Sequence, residues 1–376
     1  MTNIVISGTG VFTPPYSVSN DELVESYNRY CDQYNSDNAD AIASGDLAAK
    51  EYSTTEFIEK ASGVKNRYMM NKDGAVNPDL MVTQMSELAS DDPISLTVQT
   101  QMSLDAAKKA MIAAGVTADD IDLIIFSSSI WERFVPSIAV EIQKELGTKG
   151  YAFDMAMGCS SATFGMSTAM DSLLSGMANK ALVITCEYIT PAMNYTDRDS
   201  HFIFGDAAVA MVLEREAESK ADCQFRIKTR ELFTELSYNI VAGFGGRILM
   251  EPNRIRDEDQ RFKQNGRVVF KELLPKVIGM VEGHLKDHDY TTGDMRRLWL
   301  HQANINMNSF AVKKLTGAAP TQDIAPIILD EYANTAGAGC MIAFHKYHAD
   351  FKTGELGLIC SFGASYSVGC MIVERV

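Results

Sequence analysis

The chain lacks most features that mark membrane, secreted or metal-dependent proteins. No apolar run is long enough to span a bilayer. The N-terminus enters a strand-like segment at Ile4 without a basic region or a cleavage site, so we expect no signal peptide. The seven cysteines form no CxxC pair and no Cys/His cluster at metal-ligand spacing. These absences indicate reduced thiols in a cytoplasmic protein without a metal site.

Positive charge is also scarce. The 376 residues include 34 Lys and Arg against 49 Asp and Glu, which gives a net charge of −15. This balance disfavours nucleic acids and anionic membranes as partners, and an acidic partner would need a local basic patch. The length exceeds what one simple core usually holds, while the 46% hydrophobic and 22% charged fractions are typical of a soluble globular protein. We therefore expect two similar halves or one composite domain.

The chain is organised around Cys159. A strand-like run over 151–157 leads through Gly158 to Cys159, and a helical pattern over 159–177 follows, ending at Ser175-Gly176. Apart from Asp171, the residues of this helix are small or apolar on every face, so we expect the helix to be buried without a solvent face. Unpaired N–H groups and the positive end of the helix dipole favour a thiolate at Cys159. The alternative is a structural buried cysteine.

Short apolar strands alternate with helical patterns, as in a layered α/β fold. Residues 208–215 resemble 368–375, and each segment follows a Phe-Gly pair. The helix–strand pair ending at 121–127 has a counterpart within 273–300, and the small-residue helix after Cys159 has one at 334–340. Three similarities in one order indicate an internal duplication, with halves at 1–220 and 221–376. Residues 70–96 are rich in turn formers and predict a long covering loop.

Two further motifs place polar side chains at the ends of predicted elements. His301 lies in the motif 300–304 at the end of a buried strand, and Asn334 lies in the motif 332–337 where the second-half helix begins. In a duplicated fold, Cys159 and Asn334 begin equivalent helices, so pseudo-twofold symmetry would bring them together. Taken singly, His301 could be a structural histidine and Asn334 a helix N-cap. Together with Cys159 they predict a site.

Cys159, His301 and Asn334 resemble the Cys–His–Asn triad of the β-ketoacyl-acyl carrier protein synthase III family. The resemblance extends over most of the chain, through the motifs at 63–67, 175–184, 197–198, 204–206, 266–271, 301–304 and 362–364. It implies the thiolase fold, an α/β architecture of five layers, α-β-α-β-α, with two pseudo-duplicated halves. The branch that it resembles most takes octanoyl-CoA, a medium-chain acyl-CoA, to 3-oxodecanoyl-acyl carrier protein.

The implied chemistry suits these residue types. Cys159 would attack an acyl-CoA thioester and hold the acyl group. The backbone N–H groups of Cys159 and Ala364 would form the oxyanion hole. His301 and Asn334, as neutral donors, would stabilise the enolate that forms when malonyl-acyl carrier protein loses CO2. The product would be 3-oxoacyl-acyl carrier protein for fatty acid synthesis, and neither a metal nor a cofactor is required.

The resemblance also implies binding residues and a homodimer. It places Phe57, Arg198 and Asn304 against CoA or its pantetheine arm, although Phe57 could equally be a core residue. Lys313 and Lys314 would dock the acidic acyl carrier protein, unless they only line a solvated helix face. Phe134 would reach across the dimer into the partner's acyl tunnel. Asn306 stands where a basic residue is common, so part of the docking surface differs from the family's. The differences that bear on substrate choice are the long segments 29–55, 70–96 and 230–262, and Ser365 in place of a common glycine.

Other functions stay open at this point. A ketosynthase of a secondary pathway would make resorcinols, pyrones or head-to-head condensed ketones from the same residues. A thiolase would need a second catalytic cysteine, for which Cys340 and Cys360 are candidates outside any thiolase motif. A hydroxymethylglutaryl-CoA synthase would need a catalytic glutamate, and none is placed convincingly. A non-enzymatic acyl-binding subunit would usually lack the cysteine.

Overall fold

A computed structural model describes residues 2–82, 86–92, 94–242 and 261–376. The strands are β1 (Ile4–Phe12), β2 (Tyr16–Ser19), β3 (Asn66–Met69), β4 (Leu123–Ser128), β5 (Tyr151–Ala156), β6 (Lys180–Glu187), β7 (Ala207–Arg215), β8 (Phe225–Phe233), β9 (Ile240–Val241), β10 (Lys263–Gln264), β11 (Met295–Leu300), β12 (Leu356–Gly363) and β13 (Ser367–Arg375). The α-helices are α1 (Asn20–Asp37), α2 (Ala39–Ser44), α3 (Thr55–Ser62), α4 (Val98–Ala114), α5 (Ile138–Leu146), α6 (Ser161–Ser175), α7 (Gly266–Asp287), α8 (Ile305–Thr316), α9 (Leu329–Tyr332) and α10 (Gly339–Tyr347).

Nine strands form one sheet in the order β11-β12-β13-β8-β1-β7-β6-β4-β5. The first half pairs β4 with β6 in parallel, then β6 with β7 and β7 with β1 antiparallel. The second half repeats this pattern with β11, β12, β13 and β8. The halves meet at β1 and β8, through the pairs Val5–Arg226 and Ile6–Phe225. The predicted duplication is confirmed, and the boundary at 220/221, which stays a prediction, falls between β7 and β8.

Helices and half-sheets stack in five layers. Residues of α6 and α10 share one buried cluster with strands of both halves, so these two helices form the central layer. The helices α4 and α5 cover the outer face of the first half-sheet, and α7 and α8 cover the outer face of the second. The predicted α-β-α-β-α thiolase fold is confirmed. The small residues of α6 suit its place between the two half-sheets.

Helix α6 differs in part from its sequence prediction. It begins at Ser161, because Gly158–Ser160 form a 3-10 turn, and it ends before Gly176 in the left-handed conformation as expected. Its first ten residues are almost wholly buried. The expectation of no solvent face is wrong in the last turns, where Asp171 and Leu174 are exposed. There Asp171 forms an ion pair with Arg230 of β8.

The long connecting segments differ in secondary structure where they are described. Residues 29–55 contain the end of α1 and the short α2. The described residues of 70–96 contain neither helix nor strand, as predicted for a covering loop. Most of the segment 230–262 lies outside the described residues. In the described part of the chain, no helix has the length and apolar character needed to cross a membrane.

Candidate active site

Cys159 lies where the first half-sheet meets the central helices. β5 ends at Ala156, and Gly158 turns the chain with a positive φ of 53°, which a side chain would strain. Cys159 is the middle residue of the 3-10 turn that leads into α6. The Ser367 hydroxyl donates to the Ser160 hydroxyl at 2.9 Å, which ties this turn to the start of β13. The nucleophile predicted from sequence is therefore held between the two halves.

The end of β12 covers Cys159 with backbone alone. A Cβ added to Gly363 would lie 2.7 Å from Cys159 Sγ, so only glycine allows this approach. The N–H groups of Ala364 and of Cys159 itself hydrogen-bond the sulfur and lower its pKa. These are the two N–H groups predicted for the oxyanion hole, and the structure places both at the reacting atom.

The thiol is nevertheless protonated at neutral pH. Burial, with a smaller contribution from the charge of Glu187, raises the pKa of Cys159 to about 11, against the lowering by the two N–H groups. The expectation that the helix N-terminus favours a thiolate is therefore wrong for the resting protein. Its physical reason is that loss of water around the sulfur outweighs the local backbone dipoles. The thiol must lose its proton as it reacts.

His301 and Asn334 approach the same point from the second half. His301 follows β11 and is buried, with its ring edge-on to Phe362 at 5.3 Å between centroids. Burial lowers the pKa of His301 to about 4, so the imidazole is neutral in the physiological range. Asn334 Oδ1 accepts the Ala336 N–H at 2.8 Å. This bond fixes the amide so that its NH2 group is the side left to donate.

One pocket contains all three predicted catalytic residues. Cys159, His301 and Asn334 line a pocket of about 840 Å³ including its open mouth. Its other walls are largely apolar, and they include Ile203, Phe204, Phe262, Val269, Leu273, Met307 and Phe362. Cys159 is the only cysteine among the described residues that line it. A nucleophile and two neutral hydrogen-bonding groups in apolar surroundings suit acyl transfer to and from a thiol.

The residues predicted to bind CoA lie at or near the mouth. Asn304 lines the pocket and caps α8, where its Oδ1 accepts the Met307 N–H at 2.9 Å. The Arg198 guanidinium lies 4.2 Å from the centre of the Phe57 ring, and Phe57 meets the pocket residue Phe202 edge-on. Phe57 and Arg198 are both partly exposed. The three residues are brought to one side of the pocket, while their role with CoA stays a prediction.

The residues predicted to contact other proteins lie on the surface. Lys313 and Lys314 are exposed on α8. Asn306, in the same helix, donates its side-chain NH2 to the carbonyl oxygens of Lys60 and Ala61, so it joins α8 to the end of α3. Phe134 is 60% exposed and does not line the pocket of its own chain. Its place in the acyl tunnel of a partner subunit stays a prediction.

Two residues from the motifs behind the resemblance serve the scaffold around the pocket. Arg67 is buried and donates to Asn20 Oδ1 and to the carbonyl oxygen of Phe202. Asp206 is buried and accepts the N–H groups of Met70, Ile189 and Thr190. Both side chains tie the loops of the first half to the pocket wall without touching its interior.

Sequence reasoning missed Glu187. It ends β6, is fully buried, and accepts hydrogen bonds from Ser128, Ser129 and Gly337 beside the catalytic turn. It lies near the nucleophile, since a Cβ on Gly337 would lie 2.8 Å from Glu187 Oε1 and 3.0 Å from the carbonyl oxygen of Gly158, the residue before Cys159. The available signal was a carboxylate directly after the apolar run of a buried strand.

Comparison with known proteins of similar sequence and fold supports the same kind of site. The 3-oxoacyl-(acyl-carrier-protein) synthase III model matches residues 153–230, and the model of its C-terminal part matches 285–375. A beta-ketodecanoyl-(acyl-carrier-protein) synthase from Pseudomonas aeruginosa is 42% identical, over 94% of this chain and 100% of the relative. A beta-ketoacyl-(acyl-carrier-protein) synthase III from Acidiphilium cryptum is 32% identical, over 73% of this chain and 83% of the relative.

A solved structure gives the same result for the fold. The 3-oxoacyl-(acyl-carrier-protein) synthase III from Aquifex aeolicus superposes with a TM-score of 0.75, covering 100% of both chains at 23% identity. The similarity in sequence spans both halves and every predicted catalytic position. The chain belongs to the 3-oxoacyl-(acyl-carrier-protein) synthase III family of condensing acyltransferases.

Proposed function

We propose that this enzyme condenses a medium-chain acyl-CoA, octanoyl-CoA, with malonyl-acyl carrier protein and releases 3-oxodecanoyl-acyl carrier protein for fatty acid synthesis. The observation that carries the reaction type is the meeting of Cys159, His301 and Asn334 in one pocket. The chain length is supported by the similar relative named a beta-ketodecanoyl synthase. The apolar pocket walls suit an alkyl chain.

In the first half-reaction the Cys159 thiol exchanges with CoA. The sulfur attacks the acyl carbonyl, the N–H groups of Cys159 and Ala364 hold the resulting oxyanion, and the acyl group moves to Cys159. The Cys159 proton passes to the sulfur of the leaving CoA, which departs as a neutral thiol, so no net charge remains after the transfer. Because the pKa of Cys159 is raised to about 11, this proton must move during the attack. A neutral, buried imidazole at His301 adds no second charge to the pocket.

In the second half-reaction malonyl-acyl carrier protein loses CO2. The electron pair of the broken C–C bond becomes an enolate, whose oxygen would be stabilised by His301 and by the Asn334 NH2 group. The enolate carbon attacks the acyl-Cys159 carbonyl and expels the thiolate, which regains a proton. Acyl carrier protein is acidic, so the exposed Lys313 and Lys314 are its proposed docking site. We place the enzyme in a homodimer, with Phe134 facing the partner's pocket.

The structure disfavours two alternatives. Cys340 and Cys360 are fully buried outside the pocket, so neither is a second thiolase cysteine. Glu187 is the carboxylate beside Cys159, but its oxygens are engaged by hydrogen-bond donors and it does not line the pocket. It is therefore unsuited to the acid–base role that a hydroxymethylglutaryl-CoA synthase requires.

The first experiment is acylation of the purified protein by acyl-CoAs from C2 to C12, followed by intact mass. We expect one acyl group per chain, labelling that is fastest with C8, and none in Cys159→Ser. Fastest labelling with C2 would replace the medium-chain primer by acetyl-CoA. Absence of labelling by every acyl-CoA would overturn the proposed first half-reaction. Product analysis after addition of malonyl-acyl carrier protein then tests the second half-reaction.

A further inference from the structure

The buried carboxylate of Glu187 joins the two halves of the enzyme behind the pocket. Oε1 accepts the Gly337 N–H at 3.1 Å and the Ser129 hydroxyl at 3.0 Å. Oε2 accepts the Ser129 N–H at 3.1 Å and the Ser128 hydroxyl at 3.3 Å. Ser128 and Ser129 belong to the end of β4 in the first half, whereas Gly337 belongs to the turn before α10 in the second.

The contact with Gly337 is next to a catalytic side chain. Asn334 Oδ1 accepts the Ala336 N–H, and Glu187 accepts the following N–H, that of Gly337. The two side chains therefore hold adjacent N–H groups at the start of one 3-10 turn. A Cβ on Gly337 would lie 2.8 Å from Glu187 Oε1 and 3.0 Å from the Gly158 carbonyl oxygen, so the turn packs directly on the carboxylate and on the Cys159 loop.

We propose that Glu187 is a positioning residue for the decarboxylation step: it fixes the turn that orients Asn334 and joins it to the segment after β4. This inference rests on the proposed function. Glu187 does not line the pocket, so it acts through Asn334 and the backbone rather than on the substrate. The segment that it holds at Ser129 continues to Phe134, so the same carboxylate connects the catalytic turn to the surface loop.

An amide cannot replace this carboxyl group in either protonation state, because both carboxyl oxygens keep a lone pair that can accept an N–H, whereas an amide nitrogen keeps none. Each oxygen accepts one backbone N–H, from Gly337 on Oε1 and from Ser129 on Oε2. A serine hydroxyl can rotate so that its oxygen accepts a hydrogen bond from the new NH2 group, but a backbone N–H can only donate. In Glu187→Gln the NH2 group must therefore face one of the two backbone N–H groups, which is then left without an acceptor in a buried place. A change of one atom thus disturbs either the catalytic turn or the Ser129 segment.

The same substitution has an opposite effect on the nucleophile. The charge of Glu187 raises the pKa of two cysteines. One is Cys159, in the turn before α6, and the other is Cys186, the preceding residue on β6. Burial raises the pKa of Glu187 itself to about 8, so the carboxylate is ionised only in alkaline solution. Removing it should lower the pKa of Cys159 in alkaline solution, because a like charge is lost.

The test compares Glu187→Gln with Glu214→Gln, a fully buried carboxylate at the far end of β7 that pairs with Lys180. Two rates are measured for each variant and the parent enzyme: decarboxylation of malonyl-acyl carrier protein, and alkylation of Cys159 by iodoacetamide between pH 7 and 11. We expect Glu187→Gln to slow decarboxylation at least about tenfold through kcat. Its alkylation profile should shift to lower pH, and Glu214→Gln should change neither rate.

Opposite changes in the two rates distinguish positioning from loss of structure, which would not accelerate alkylation selectively. Unchanged decarboxylation in a folded Glu187→Gln would overturn the proposal, as would a fall in kcat without the alkylation shift. Should Glu187→Gln fail to fold, Ser129→Ala removes one of the four donors and keeps the carboxylate; decarboxylation as fast as the parent's would then overturn it. Failure of the parent enzyme to decarboxylate malonyl-acyl carrier protein would instead refute the proposed function, and the alkylation arm would still report on Glu187.

Discussion

Replacing Gly363 by alanine tests how closely the end of β12 must approach the nucleophile. The added methyl group would lie 2.7 Å from Cys159 Sγ and closer still to Cys159 Cβ. Carbon and sulfur atoms in ordinary contact are about 3.5–4.0 Å apart. Either Cys159 or the Ala364 turn must therefore move by about 1 Å. Movement of Cys159 would displace the attacking sulfur, and movement of the Ala364 turn would displace one N–H group of the oxyanion hole.

The size of the effect follows from that displacement. A misplacement of about 1 Å lowers the rate of a positioned reaction by about 100-fold. Overpacking of the core should also reduce the free energy of unfolding by about 1–3 kcal/mol. The assay is single-turnover acylation by octanoyl-CoA, quenched and followed by intact mass, with a thermal unfolding curve for each protein.

The matched control is Gly279→Ala. Gly279 lies in α7, and a Cβ there would meet nothing within 4 Å. Alanine should leave acylation unchanged and stabilise the protein by up to about 1 kcal/mol, because glycine is the weaker helix former. Acylation of Gly363→Ala at the rate of the parent enzyme would refute the conclusion that backbone approach defines the oxyanion hole.

Four further predictions concern pH and the surface. Because the pKa of Cys159 is about 11, its alkylation rate should rise about tenfold per pH unit from pH 7 to 10, and a plateau by pH 8 would contradict a protonated thiol. Since burial lowers the pKa of His301 to about 4, the imidazole stays neutral above that pH, and the rate of malonyl decarboxylation should show no acid limb near 6.5. Lys313→Glu with Lys314→Glu should raise the KM for malonyl-acyl carrier protein about tenfold at low salt and less at high salt; an unaltered KM would remove this docking surface. Phe134→Ala should broaden the accepted acyl lengths, and an unchanged chain-length profile would take Phe134 out of the tunnel.

The elements around the site were predictable because their signals are local. The apolar runs of β4, β5, β6 and β11 and the glycine that ends α6 follow from periodicity and backbone preference. The similarity of 208–215 to 368–375 also showed that β7 and β13 would hold equivalent places. With that symmetry, the sequence alone predicts that Cys159 and Asn334 lie close together.

Properties that depend on the surroundings of one atom were predicted less well. Leu174 matches the apolar spacing of α6 but is 48% exposed. The thiolate expected at Cys159 is opposed by burial, which no local motif reports. Glu187 drew no attention because the residues that engage it, Ser129 and Gly337, are far from it in sequence.

The sequence by itself determined the layered α/β architecture, its duplication and the three residues of the candidate triad. Those features depend on spacing along the chain and on repetition, and both can be read without knowing the packing. Only the tertiary structure decided the protonation of Cys159 and His301, the close approach of Gly363 and the place of Glu187. Each of these depends on desolvation or on contacts between the two halves, and those arise only when distant segments pack together.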